Sequence, residues 1–465
     1  MFVKFGKFYT NMSTAIGLQP AAARKSYISS IIIIGALFFI FGFVTWINGI
    51  LIPYLKIACE LESTTQSFLV ATAFFIAYFV MSIPSSYVLR KTGYKKGMSL
   101  GLLIMAVGAL VFIPAAQSRN YNLFLFGLFV IGTGLALLQT ASNPYISIIG
   151  PIESAASRIS IMGICNKLAG IIASLIFGFI ALKDADALTE KLKSMDVAAK
   201  AAELDQLAAR VINPYIIITI VLVILAIAVY YSSLPDIKDD GDADESTASV
   251  ATEGKKNIFQ FPHLFLGALA MFLYVGVEVM SGDTIISYGH ALGIEMSKAK
   301  FFTSATLVCM LIGYILGIFA IPKLLSQQTS LKIFSVIGVV FTAVALFTSG
   351  FTSVLFIALL GFANSLLFPA IFPLAISGLG RFTKLGSGIV VMSFVGGAIL
   401  PLVYGAMVDS GTQEAVANGV AEGTAHAFAA RSSYWFMIPC YLYILYYGIS
   451  GHKVGLKKVA KKITA

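Results

Sequence analysis

Charge is scarce in this sequence. Asp, Glu, Lys and Arg make up 12% of its 465 residues and hydrophobic types 58%, whereas soluble domains carry roughly a quarter charged and about half apolar residues. With a mean hydropathy of +0.89, the composition excludes an ordinary water-soluble domain and points to an integral membrane protein. Cysteine is equally thin. Cys59, Cys165, Cys309 and Cys440 are scattered, mostly within apolar runs, with no CxxC or His-paired spacing, which argues against a disulfide framework and against a metal site. The polar breaks are short: none reaches thirty residues, and the four histidines lie apart. A polytopic sensor is therefore the remote alternative, an enzyme is not expected, and no cofactor or metal is called for. The net charge of +10 would suggest nucleic acid in a soluble chain, but in a membrane protein the placement of the charges matters more. No nucleic-acid partner is expected.

What is present is a succession of apolar runs. A hydrocarbon core about 30 Å thick needs about 20 apolar helical residues. Runs of that size fall near 28–52, 65–88, 98–116, 122–146, 159–182, 212–233, 261–289, 300–321, 331–349, 353–377, 385–408 and 433–450, twelve spans in all. The first leads into Trp46, Asn48 and Pro53 rather than a small-residue cleavage site, so a retained helix is expected. With both termini in the cytoplasm, 21 Lys and Arg fall on the cytoplasmic side and 10 on the outer side, Lys167 completing the 32. That asymmetry follows the positive-inside rule. An Ala-rich outer segment with alternating charges, 184–210, reads as one or two short surface helices. An acidic, Gly/Ser/Thr-rich segment, 235–256, reads as a flexible cytoplasmic linker.

The linker divides the spans six and six. The expected organisation is a cytoplasmic segment 1–27, a six-helix bundle 28–233, a linker 234–260, a second six-helix bundle 261–450 and a basic tail 451–465. Such a two-bundle transporter places its substrate site between the halves. FFIFGFVTWING (38–49) matches MFLYVGVEVMSG (271–282) weakly, and QTASNPYISIIGP (139–151) matches NSLLFPAIFPLAISGLG (364–380) weakly.

Two stretches are more specific: FFIFGFVTWINGILIPYLK (38–56) and LQTASNPYISIIGPIESAASR (138–158). They closely resemble signatures of the fucose/galactose/glucose:proton symporter family of the major facilitator superfamily. The resemblance extends through FLYVGVEV and GSGIVVMSFVGGAILPLVYGAMVD (386–409), so it covers essentially all twelve spans, and within the family it is strongest to the bacterial glucose/galactose group. It implies an all-α major facilitator fold and a sugar importer of the bacterial inner membrane, working by alternating access and coupled to protons. One departure matters. The family's fucose members carry an Asp after the Asn of the first motif and a Glu before the Thr of the second, where this chain has Gly49 and Gln139.

The coupling group must then lie elsewhere. Most acids sit in loops or at span ends; Glu278 and Asp283 stand within the seventh span. Lys167 is the one cation inside a span, in ICNKLAGIIASLIFGFIAL (164–182). Ionisable groups at this depth cost about 2.5–3.5 kcal/mol or more on insertion scales and usually face a cavity or a partner. Pairing Lys167 with Glu278, or with Asp283, lowers that cost. The pair is a candidate coupling switch, with Glu278 as the proton-cycling group; a static ion pair orienting the bundles is the plainer alternative.

A neutral hexose needs amides that donate and accept, and an aromatic platform for its C–H face. Candidates are the amides of Asn48, Gln139, Asn143, Asn166 and Asn364, with Trp46, Tyr54, Phe75 and Tyr78 for stacking. For Asn364 and Tyr78 a packing role is favoured. Pro144, Pro151, Pro369, Pro373 and Pro401 mark hinges or static kinks. RKTGYKKG (90–97) is read as a gating loop or as a positive-inside anchor. Expected partners are a monosaccharide, a coupling cation (H⁺, with Na⁺ the alternative) and the bilayer, for a monomeric protein. The competing reading is an uncoupled facilitator, an exporter of another small solute, or a Na⁺-coupled importer of a monosaccharide such as fucose or N-acetylglucosamine.

Overall fold

The computed structural model describes residues 21–148, 155–232, 234, 257–320 and 325–456. Among the described residues there are helices and turns and no strand. Ten stretches are long and apolar enough to cross a membrane. One of them, Thr64–Gln117, is 54 residues long and turns back at Gly93, where φ is +76°. Such a backbone suits glycine and strains other residues, so RKTGYKKG forms the turn between spans two and three. A shorter twelfth span follows at Ser433–Phe436 and Met437–Ile449. The described residues thus form the twelve apolar spans expected from hydropathy.

Several spans are broken in ways hydropathy does not reveal. Span one is Ala21–Trp46 and Asn48–Ala58, interrupted at Ile47 and carrying Pro53, which has no N–H to bond back one turn. It runs beyond the expected end at 52. Span seven, Pro262–Asp283, restarts as Ile285–Ala291 after Thr284. Span ten divides into Gly350–Asn364 and Leu367–Ile376, and span eleven into Thr383–Met392 and Gly396–Ala417. The last of these continues past the expected 408 because Asp409 and the polar residues after it extend the helix out of the apolar layer. Spans four, five, six, eight and nine are Tyr121–Ile148, Ala155–Ala181, Ile212–Tyr231, Phe302–Ala320 and Gln327–Phe347. The 184–210 segment forms two helices, Ala185–Lys193 and Val197–Ala209. The 235–256 linker, Pro151, residues 1–20 and the tail from 457 lie outside the described residues.

The two six-span halves meet along two seams, span five against span eight and span two against span eleven. At the end that carries the surface helices, side chains tie the halves together. Asp409 of span eleven accepts the N–H of Thr64 at 2.9 Å, the N–H of Thr65 at 2.8 Å and the Thr65 hydroxyl at 2.5 Å. The next amide, Gln66 N–H, donates to Ser63 at 3.0 Å. The first turn of span two, whose amides have no partner within their own helix, is therefore capped partly from its own half and partly from the other, with a carboxylate at the positive end of the helix dipole. Asp186 similarly accepts the N–H groups of Met296 and Ser297 at 2.9 Å each.

Charge-assisted bonds of this kind are worth about 1.5–3 kcal/mol each when broken singly. In a background without native cysteines, Asp409→Ala should let a thiol reagent supplied from that end reach a cysteine at Thr45, a span-one residue lining the space between the halves, about tenfold faster. An unchanged labelling rate would show that the tie does not hold that end shut.

Candidate functional site

The side chains singled out by their chemistry converge between the halves. A cavity of about 110 Å³ is lined by spans one, two, four, five, seven, eight, ten and eleven. At its centre Lys167 Nζ donates to Glu278 Oε1 at 2.9 Å, with side-chain exposures of 7% and 12%. Span five, of the first half, is thereby joined to span seven, of the second. The ammonium also lies 4.4 Å from the centroid of the Trp46 ring, a cation–π contact that further stabilises a buried cation. Trp46 Nε1 donates to Asn166 Oδ1 at 3.2 Å, and Asn166 Nδ2 to the Phe38 carbonyl at 3.5 Å. The lysine, the indole and the amide thus hold one another in register.

The rest of the lining joins amides to aromatic rings. Gln139 Nε2 donates to the Tyr78 hydroxyl at 2.9 Å, and Asn143 lines the cavity on the same span. Tyr78 stacks on Phe75, their centroids 5.9 Å apart and rings 24° from parallel, and leans on Phe394 at 5.5 Å. Phe368 continues this surface against Phe394 and Tyr274. Tyr274 and Tyr314 flank Glu278. Asp283 also lines the cavity, is 1% exposed, and its Oδ1 has no hydrogen-bond partner among the described residues.

Three residues proposed from sequence for sugar contact lie elsewhere. Tyr54 donates to the carbonyls of Leu207 and Ala208 at 2.8 and 3.0 Å, tying span one to a surface helix. Asn364 donates to Ser281 Oγ at 3.1 Å and accepts from the Tyr441 hydroxyl at 2.8 Å, joining spans seven, ten and twelve. Asn48 is fully buried outside the cavity lining, with neither amide atom partnered among the described residues. Two residues beyond Trp46 is more than half a helical turn, and the break at Ile47 intervenes. Conversely, Tyr274, Tyr314, Phe368 and Phe394 were not read from sequence. Tyr274 had a signal, since it precedes Glu278 by four residues and so shares its helix face; the others look like any lipid-facing aromatic.

A bundle of twelve apolar spans in two halves, enclosing a polar cavity where the halves meet, is the architecture of a membrane carrier. The chain matches the family model of the Major Facilitator Superfamily over residues 34–402 and belongs to that family; its members are transporters, not enzymes. It is 32% identical over 435 residues to the glucose/galactose transporter of Brucella abortus biovar 1 (strain 9-941), covering 93% of this chain and 96% of that one. It is 30% identical to the L-fucose-proton symporter of Escherichia coli (strain K12) over 399 residues, 84% of this chain and 90% of the relative. Its fold is similar to the crystal structure of the transporter FucP in the outward conformation, with a TM-score of 0.67, 27% identity and coverage of 91% and 98%.

Breaking a buried ion pair from one side leaves an uncompensated charge, at about 3–5 kcal/mol, whereas removing both partners is much milder. Lys167→Met and Glu278→Gln should each lower thermal stability in detergent, and the double variant should recover most of the loss. Additive losses in that double-mutant cycle would show that the two side chains do not interact.

Proposed function

We propose that the protein is a secondary active transporter that imports a neutral hexose of the glucose/galactose type by alternating access, coupled to protons. The observation that carries this reading is the composition of the cavity. Among the described residues its full charges are those of Lys167, Glu278 and Asp283, and the rest of its lining joins the amides Gln139, Asn143 and Asn166 with the rings of Phe75, Tyr78, Phe368 and Phe394. A polyhydroxylated ring with one apolar face suits such a site, while an ionic substrate would need a net countercharge. The names of the glucose/galactose and fucose-proton relatives support the same class.

In this reading Trp46 offers the sugar a stacking face, and Asn48 and Asn364 support the site through helix packing. The bundles 28–233 and 261–450 rock about the cavity. The Lys167–Glu278 pair joins the two bundles in this conformation and sets their register about the cavity. The protein is a monomer in the bacterial inner membrane. Its N-terminal segment 1–27, linker 234–260 and tail 451–465 face the cytoplasm. A second reading, favoured by Gly49 and Gln139 at positions where fucose members carry acids, is a facilitator or a Na⁺-driven carrier.

Uptake of labelled hexoses into proteoliposomes under imposed pH or Na⁺ gradients decides between these. The expected outcome is accumulation of glucose or galactose driven by the pH gradient alone. Gln139→Ala should weaken apparent sugar affinity by about tenfold, the loss of one to two hydrogen bonds, while the protein inserts normally. An unaltered affinity would remove Gln139 from the site. For orientation, cysteines at Ala187 and Ser246 should react with an impermeant maleimide added outside whole cells at the first position only. Labelling of both from one side would overturn the topology.

A further inference from the structure

We infer that the coupling proton is carried by Asp283, and that Glu278 serves as the fixed counter-ion of Lys167. The inference rests on the symport reading of the cavity and names the group within it that exchanges the proton.

Span seven carries two carboxyls in the site, and their surroundings differ in kind. Glu278 is held by the Lys167 ammonium at 2.9 Å. Protonating it would strand the ammonium of the buried Lys167 without its partner, a penalty of several kcal/mol. Asp283 has no such claim on it. It is 1% exposed, and its Oδ1 meets no donor among the described residues. Thr303, which like Asp283 stands beside Gly49, donates its hydroxyl to the Gly282 carbonyl at 2.7 Å. The charged groups acting on Asp283 are Glu278 of its own helix and Lys167 of span five, and these already neutralise each other. Spans one and eight present Trp46, Gly49 and Thr303 to this region, none of them charged. A carboxylate oxygen buried without a donor is costly, and protonation of the group reduces that cost. The site therefore stores a proton on Asp283 in this conformation.

Its position gives that proton two exits. Asp283 lines the cavity, yet on its other flank it abuts the opposite half: a Cβ on Gly49 would stand 3.2 Å from its Oδ1, and the Trp46 ring packs on Gly282 beside it. The wall that shields the carboxyl is built by span one, so parting the halves at that seam hydrates it. Asp283 ends the first segment of span seven, which resumes after Thr284, a residue that keeps helical torsion angles of −88° and −18°. The proton is taken up by Asp283 from water on one side of the membrane, occluded as the halves close, and returned to water through the cavity on the other side. No other bond is made or broken.

The test uses the full-length chain in proteoliposomes with labelled D-glucose and D-galactose. Asp283→Asn should retain sugar counterflow within about threefold of the parent, while losing both accumulation driven by a pH gradient and sugar-induced proton uptake. Asp283→Glu, which keeps a carboxyl, should retain accumulation with a displaced pH profile. In the Lys167→Met/Glu278→Gln double variant, whatever its rate, the transport that remains should still respond to the pH gradient. Persistence of pH-driven accumulation in Asp283→Asn, or its loss only when Glu278 is changed, would overturn the assignment. Should Asp283→Asn fail to insert, infrared difference spectra of the double variant give an independent answer: a carboxylic-acid carbonyl band that responds to sugar must survive without Glu278, and its disappearance refutes the proposal. A parent protein that moves neither sugar against its gradient would instead refute the symport reading itself, a different result from a parent that accumulates sugar independently of Asp283.

Discussion

The bond from Lys167 to Glu278 is the constraint around which the rest of the site is arranged. An ammonium in the middle of an apolar span is expensive to bury, and it is accommodated here by a carboxylate at 2.9 Å and an indole face at 4.4 Å. Both come from other helices. Because the lysine belongs to the first half and the glutamate to the second, satisfying the charge requires the halves to meet at one register. Trp46 is positioned from the other edge by Asn166, so the side chains that would meet a substrate are held by the same contacts that neutralise the charge. Removing charge from the cavity in this way also keeps it suitable for an uncharged guest.

Much of the architecture was legible in the sequence because membranes simplify the physics. Backbone polar groups must be satisfied within each span, so an apolar run of sufficient length is already a helix with a known length. The turn at Gly93 lies inside the basic RKTGYKKG stretch. The surface helices followed from the alternating charges of 184–210. The breaks at Ile47 and Thr284 were not legible, since neither residue carries the mark of a helix breaker; only packing of the facing half reveals them.

The site was legible to the extent that its groups were chemically out of place. Lys167, Glu278 and Asp283 stand out against lipid-soluble surroundings, and Gln139, Asn143, Asn166 and Trp46 lay in recognisable stretches. Asn48, Tyr54 and Asn364 stood out equally but spend their polar atoms, or bury them, elsewhere. A polar residue in a span signals a partner without saying whether that partner is a ligand or another helix. The aromatic wall gave the opposite difficulty, for Tyr314, Phe368 and Phe394 are distinguished from dozens of similar residues only by where three-dimensional packing puts them.

The cap that Asp409 places on span two has a mechanical implication. Two of its three bonds go to the amides of Thr64 and Thr65, donors that point together only while the first turn of that span is wound. The fastening therefore recognises a shape rather than a side chain. Loosening a single helical turn would present the carboxylate with nothing to grip, so that fraying at one helix tip acts like a fuse: a small local event able to free two large rigid bodies, and one that most changes in side chain at those two positions would leave intact.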